Sequence, residues 1–136
     1  MTTELREPLT IPEIGAMKRA GTKIVMVTAY DHPSARLASA AGVDLILVGD
    51  SAGNNVLGYP TTVPVTMEES VMLTAAVGRA RPRALVVGDM PFGSFQASDA
   101  DAVTNAVRLV KRSSRSLAKT VPHGQGRNSS GCLCVK

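Results

Sequence analysis

Over the first 110 residues, short apolar runs alternate with amphipathic stretches, the pattern of β/α units laid on a parallel sheet. The spacing predicts a first helix over Ile11 to Ala20, stopped at Gly21, where glycine tolerates positive φ. Lys23 to Ala29 reads as the first strand. His32-Pro33 opens a helix that runs to Ala40 and ends at Gly42, and Val43 to Val48 reads as a buried second strand. Gly49 to Pro64 is then a long loop rich in Gly, Asn and Thr, and a loop of that length in a compact domain usually carries function.

Thr66 with Glu69 three residues on has the spacing of a capping box, which satisfies two otherwise free N–H groups at a helix start. Ala84 to Val87 reads as the third strand and Gly88 to Ala97 as a second rich loop. Ser98 with Asp101 resembles another cap. The helix after it places Ala102, Val103, Ala106, Val107 and Val110 on one apolar face. Beyond Lys111 the pattern stops. Residues 112–136 are rich in Ser, Arg and Gly without either period, and such a segment buries too little apolar area to offset its ordering entropy. The expected division is therefore a β/α region over 1–111 and a disordered basic tail over 112–136.

Charge sharpens that division. Residues 1–110 hold 9 Lys or Arg against 11 Asp or Glu, a net of −2, whereas 111–136 hold 6 basic residues and no acid, a net of +6. A nucleic-acid-binding domain would carry its positive charge as a patch on the folded part, so neither nucleic acid nor membrane is expected as a partner. No apolar run approaches the roughly 20 residues of a bilayer span. The first dozen residues carry Glu4 and Glu7 against Arg6, unlike a signal or transit peptide, so the expected location is cytoplasmic.

The candidate chemistry lies in two echoing segments, Leu45-Ile-Leu-Val-Gly-Asp50-Ser51 and Leu85-Val-Val-Gly-Asp89. Each is a buried strand, a glycine and an aspartate at the strand's C-terminal end, the end that carries sites in parallel β/α folds. Neighbouring strands lie about 4.8 Å apart, so two such carboxylates can reach one ion, and an oxygen-only donor set favours Mg²⁺ over zinc. Glycine before each aspartate opens room for a ligand. The plainer reading, in which each aspartate only caps a turn or helix, stays open on the pattern alone.

The order and spacing of Thr28-Ala-Tyr-Asp31, Ala41-Gly-Val-Asp-Leu-Ile-Leu-Val-Gly-Asp-Ser51, Thr61-Thr-Val-Pro-Val-Thr66 and Gly88-Asp-Met-Pro-Phe-Gly-Ser-Phe-Gln96 resemble the ketopantoate hydroxymethyltransferases, over about residues 10–111. The resemblance implies α/β architecture: a (β/α)8 TIM barrel of the phosphoenolpyruvate/pyruvate-binding type, here its first three β/α units and an N-terminal helix. It implies Mg²⁺, the substrate 3-methyl-2-oxobutanoate, 5,10-methylenetetrahydrofolate as one-carbon donor, a homo-oligomer (commonly a decamer) and a place in pantothenate synthesis. Asp50 and Asp89 match the family's metal-binding aspartates, and Ser51 the position that contacts the keto acid. A metal chelating the keto acid's carboxylate and carbonyl acidifies the adjacent C–H.

Family members continue after the Lys111 region with a Val-Lys-x-Glu-Gly-Gly strand, whose lysine binds the keto acid and whose glutamate completes the metal site. Neither the motif nor the strand is expected here, and no residue matches the general base. The chain is therefore expected to be an inactive N-terminal portion, its tail the product of a frameshift or misjoined exon. Two other readings stand beside this one. They are a metal-dependent keto-acid enzyme of the isocitrate lyase or phosphoenolpyruvate mutase kind, and a non-catalytic fragment that only associates with intact subunits, through exposed barrel edges. Cys132 and Cys134 lack the further ligands a zinc site needs. His32 reads as a turn residue, Lys111, Arg112 and Arg115 as solvated charge, and Tyr30-Asp31 equally as structural anchor or substrate contact.

Overall fold

The computed structural model describes residues 7–113 and 116–119. In chain order the elements are α1 (Ile11–Arg19), β1 (Met26–Thr28), α2 (His32–Ala40), β2 (Leu45–Val48), α3 (Ala52–Asn55), α4 (Met67–Arg79), β3 (Leu85–Asp89), α5 (Asp99–Ser113) and β4 (Ser116–Lys119). The strands form one parallel sheet in the order β1-β2-β3-β4, so each crossover helix returns the chain to the next position.

Helix starts follow their caps. Thr10 and Glu13 form a complete capping box on α1, and Thr66 and Glu69 form one on α4. Asp31 caps α2 by accepting from the Ser34 N–H at 2.7 Å. Ser98 accepts from the Asp101 N–H at 3.1 Å and donates to its carboxylate at 2.7 Å, which caps α5 with an aspartate in the usual glutamate's place. After α1 and α2 the chain turns at Gly21 and Gly42, with φ of 70° and 80°, where any other residue would be strained.

Helices cover one face of the sheet. Ile46, Val48 and Val86 pack with Leu73 and Val77 of α4 and Ala35 of α2 into the main core. A second cluster joins Met67 and Met90 to Ala106, Leu109 and Ala118. Because side chains alternate along a strand, Leu45, Leu47 and Leu85 turn to the opposite face, and all three are only partly buried. The register sets Thr28, Leu47, Val87 and Leu117 in one rung across the four strands.

Four expectations change. β1 begins at Met26 rather than Lys23, because the Val25 N–H donates to the Asp44 side chain (2.9 Å) and takes no part in the ladder. The long loop contains α3, a helix of low propensity (Ala-Gly-Asn-Asn) held by its surroundings, with Ala52 fully buried. The buried face of α5 is set by Ala106 and Leu109, and Val103 is half exposed. The fold also does not stop at Lys111: α5 runs on to Ser113, and residues 116–119 form a fourth strand against β3. Ser-Leu-Ala-Lys has a single large apolar side chain and no β-branched residue, too little signal for a strand to be read from sequence. His123, Cys132, Cys134 and the tail beyond 119 lie outside the described residues.

Candidate functional site

Polar residues gather where the strands end. Parallel pairing matches Val48 with Gly88, so the two Val-Gly-Asp copies are out of step by one residue. Asp89 therefore stands level with Gly49, one position short of Asp50. Gly88 lies on the helix-covered face, where a Cβ would meet Thr74 Oγ1 at 3.1 Å and Leu109 Cδ2 at 3.3 Å. Its bareness serves the packing of α4 and α5 on β3, a correction to its expected role in ligand access. Gly49 keeps that role. A Cβ there would meet Ser51 Oγ at 2.9 Å and Asp89 Oδ2 at 3.4 Å, so serine and aspartate oxygens converge on the space this glycine leaves open.

Ser51 is positioned from a third strand. The hydroxyls of Tyr30, just past β1, and Ser51 are hydrogen-bonded at 2.9 Å, and Asn55 Nδ2 of α3 reaches the same phenol oxygen at 3.4 Å. Tyr30 is thus an anchor of the serine, while Asp31 beside it is spent on capping α2. The Ser34 hydroxyl, and after it the Ser34 N–H, donate to the Asp31 carboxyl and hold it below the usual carboxylate range. His32 is the exposed first residue of α2, as its sequence context suggested.

Neither Asp50 nor Asp89 caps a helix. Asp50 makes no side-chain hydrogen bond among the described residues, and its carbonyl accepts from the Gly53 N–H at 2.8 Å. Asp89 ends β3, ten residues before α5, whose cap is Ser98. The structure brings Asp89 and Ser51 together around Gly49, with Asp50 next in the chain. Among the described residues no three His, Cys, Asp or Glu side chains cluster as a complete metal cage.

The loop leading to α4 is pinned rather than loose. Asn54 Nδ2 donates to the Tyr59 carbonyl (3.0 Å), and the Tyr59 phenol donates to Glu69 Oε1 (2.6 Å) while Glu69 Oε2 completes the α4 cap. The Glu69 carboxylate pushes the Tyr59 phenol above its ordinary range. Gly53 lets the loop fold back, since a Cβ there would sit 2.6 Å from Val65 Cγ2. The strand after α5 brings Lys119 level with Asp89 in the ladder, which overturns the expectation that no strand follows Lys111.

The sequence model of the ketopantoate hydroxymethyltransferases matches residues 8–124 of this chain. The chain belongs to the ketopantoate hydroxymethyltransferase family. It is 59% identical over 106 residues to the 3-methyl-2-oxobutanoate hydroxymethyltransferase of Moorella thermoacetica, covering 78% of this chain and 39% of that one. It is 57% identical over 103 residues to the enzyme of that name from Ignicoccus hospitalis (76% and 39%), and 64% identical over 89 residues to that of Thermotoga neapolitana (65% and 33%). The chain thus spans about two fifths or less of the length of these curated relatives. Among the described residues no helix is long and apolar enough to cross a membrane.

Proposed function

We propose that these residues supply part of the substrate and metal site of a 3-methyl-2-oxobutanoate hydroxymethyltransferase, which transfers a one-carbon unit from 5,10-methylenetetrahydrofolate and yields 2-dehydropantoate. The observation that carries the reading is the convergence of Ser51 Oγ and Asp89 Oδ2 on the open space at Gly49, in a chain of this family. The donor set suits Mg²⁺. Magnesium is commonly held by one or two carboxylates, with water and substrate filling the rest, so Asp50 and Asp89 need no third acid for a partial shell. When bound, the ion would supply Lewis acidity to the α-keto acid.

The chain's own groups then orient the substrate. Tyr30 fixes the Ser51 hydroxyl, which is free to turn one hydrogen-bonding direction toward a carboxylate or carbonyl oxygen. Lys119 lies level with Asp89 on β4. Ala118-Lys119 corresponds in this reading to the Val-Lys of the family strand. Two residues on, where the family has its glutamate, stands Val121. No residue within 1–136 is assigned as the base, so a polypeptide of these residues alone is expected to bind substrate without turnover.

The remaining parts of the reading are a (β/α)8 barrel of the phosphoenolpyruvate/pyruvate-binding type, a cytoplasmic location and a homo-oligomer; the sequential parallel sheet supports the first. The test uses Mn²⁺ as a paramagnetic stand-in. Relaxation of the methyl protons of 3-methyl-2-oxobutanoate should increase with the chain and Mn²⁺ together, and fall back for Asp89→Ala. Equal relaxation with oxaloacetate or phosphonopyruvate would favour the other keto-acid enzymes. No enhancement with any keto acid would end the proposal.

A further inference from the structure

The loop Met90 to Gln96 packs most of its large apolar side chains inward and leaves one of them outside. Met90, Pro91 and Ser94 are buried, and Phe95 packs against the cluster of Met67, Met90, Ala106 and Leu109. Phe92 is 53% exposed. This presentation is built in. Gly93 turns the chain at φ 86°, and Gln96 Oε1 accepts from the Gly93 N–H at 2.8 Å. Ser94 Oγ donates to the Pro91 carbonyl (2.7 Å), and Asn105 of α5 donates to the Ser94 carbonyl (2.7 Å). Only Met90 and Pro91 separate the exposed ring from Asp89, so it stands at the same end of the sheet as the candidate site.

An aromatic ring on a loop tied at both flanks loses little freedom when something stacks on it. Its quadrupole and flat face suit another planar, polarised ring, and such stacking discriminates by shape rather than by hydrogen bonding. We propose that Phe92 is the stacking platform for a flat heteroaromatic ring system. On the functional reading above, on which this inference rests, that ring is the pterin of the one-carbon donor. Phe92 then positions the donor above a keto acid seated at Ser51 and Asp89, and it determines specificity for the donor without touching the acid.

The test is calorimetric titration of the full chain with 5-formyltetrahydrofolate, a stable donor analogue, in Mg²⁺ and 3-methyl-2-oxobutanoate. Phe92→Ala should weaken folate binding about tenfold, and Phe92→Tyr should stay close to the unaltered chain. Keto-acid affinity should not change in either. The chain contains no tryptophan, so the emission of Phe92→Trp reports on this position alone and should be quenched by the folate. Folate affinity unaltered by Phe92→Ala would overturn the inference, as would a silent Phe92→Trp signal. Keto-acid binding with no folate binding overturns it while leaving the functional reading standing. Absence of keto-acid binding counts against that reading instead, and if folate fails to bind as well, both fall.

Discussion

The hydroxyls of Tyr30 and Ser51, 21 positions apart in sequence, meet at 2.9 Å where the first two strands end. That contact makes the serine's orientation depend on a side chain from another strand. It also gives Tyr30 a place in the site without requiring it to touch a ligand. Tyr30→Phe should therefore weaken 3-methyl-2-oxobutanoate binding about threefold to tenfold, the range of one net hydrogen bond. Binding of Mg²⁺ alone should hold. Calorimetry on both ligands decides it, and equal loss for both would mean that the tyrosine supports the whole strand end rather than Ser51.

The two glycines of the Val-Gly-Asp copies should respond oppositely to alanine. At Gly49 the added methyl enters the space shared by Ser51 Oγ and Asp89 Oδ2, so cation and keto-acid binding should fall by about tenfold with little change in the urea midpoint. At Gly88 the methyl presses on Thr74 and Leu109, between sheet and helices, and overpacking of this kind costs about 1–3 kcal/mol. Gly88→Ala should lower the urea midpoint visibly. The same outcome for both variants would contradict the one-residue offset between the copies.

That offset also marks how far the sequence could be read. Caps carry their own local chemistry, so Thr66 and Ser98 start their helices as their spacing predicts, while the caps at Thr10 and Asp31 emerge only in the structure. The paired aspartates were visible at the strand ends, but register is a tertiary property, and nothing in the repeated Val-Gly-Asp reveals that Val48 pairs with Gly88. β4 was missed because four residues with one large apolar side chain carry almost no period; pairing with β3 and the burial of Ala118 beneath α5 hold it. Phe92 and Phe95 look equivalent in sequence, and the turn at Gly93 separates the partly buried ring from the exposed one.

Acid should loosen α4 from its N-terminus. The Thr66 N–H, and after it the Tyr59 phenol, hold the Glu69 carboxyl below its ordinary value, and the Thr10 hydroxyl and N–H do the same for Glu13. A carboxyl depressed in the folded state contributes stability that is complete above its unfolded value and is lost as pH falls through its folded value. Exchange protection of the Thr66 and Glu69 amides should drop as the solution is acidified below the usual carboxylate range, while Val86 in the sheet stays protected. Thr66→Ala should cost about 1 kcal/mol at neutral pH. Protection at α4 that is flat through the acid range would show that the box adds nothing.

The outer edge at β1 should make the chain associate with itself. Val25, Met26 and Val27 are 52%, 51% and 36% exposed, unusual for three consecutive apolar residues at a strand. Among the described residues β1 pairs only with β2, so its other side offers free backbone donors and acceptors beside apolar side chains. Such an edge is a template for another strand, and a lysine placed on it repels a second copy at little cost to the fold when the replaced side chain is already half exposed. Light scattering on eluting protein should show a mass that rises with concentration for the unaltered chain. Val25→Lys with Met26→Lys should bring it to the monomer with only a small change in melting temperature. A monomer at every concentration without those lysines would mean that the edge is already guarded, and the reading of this chain as one that joins other copies through an open sheet would fall with it.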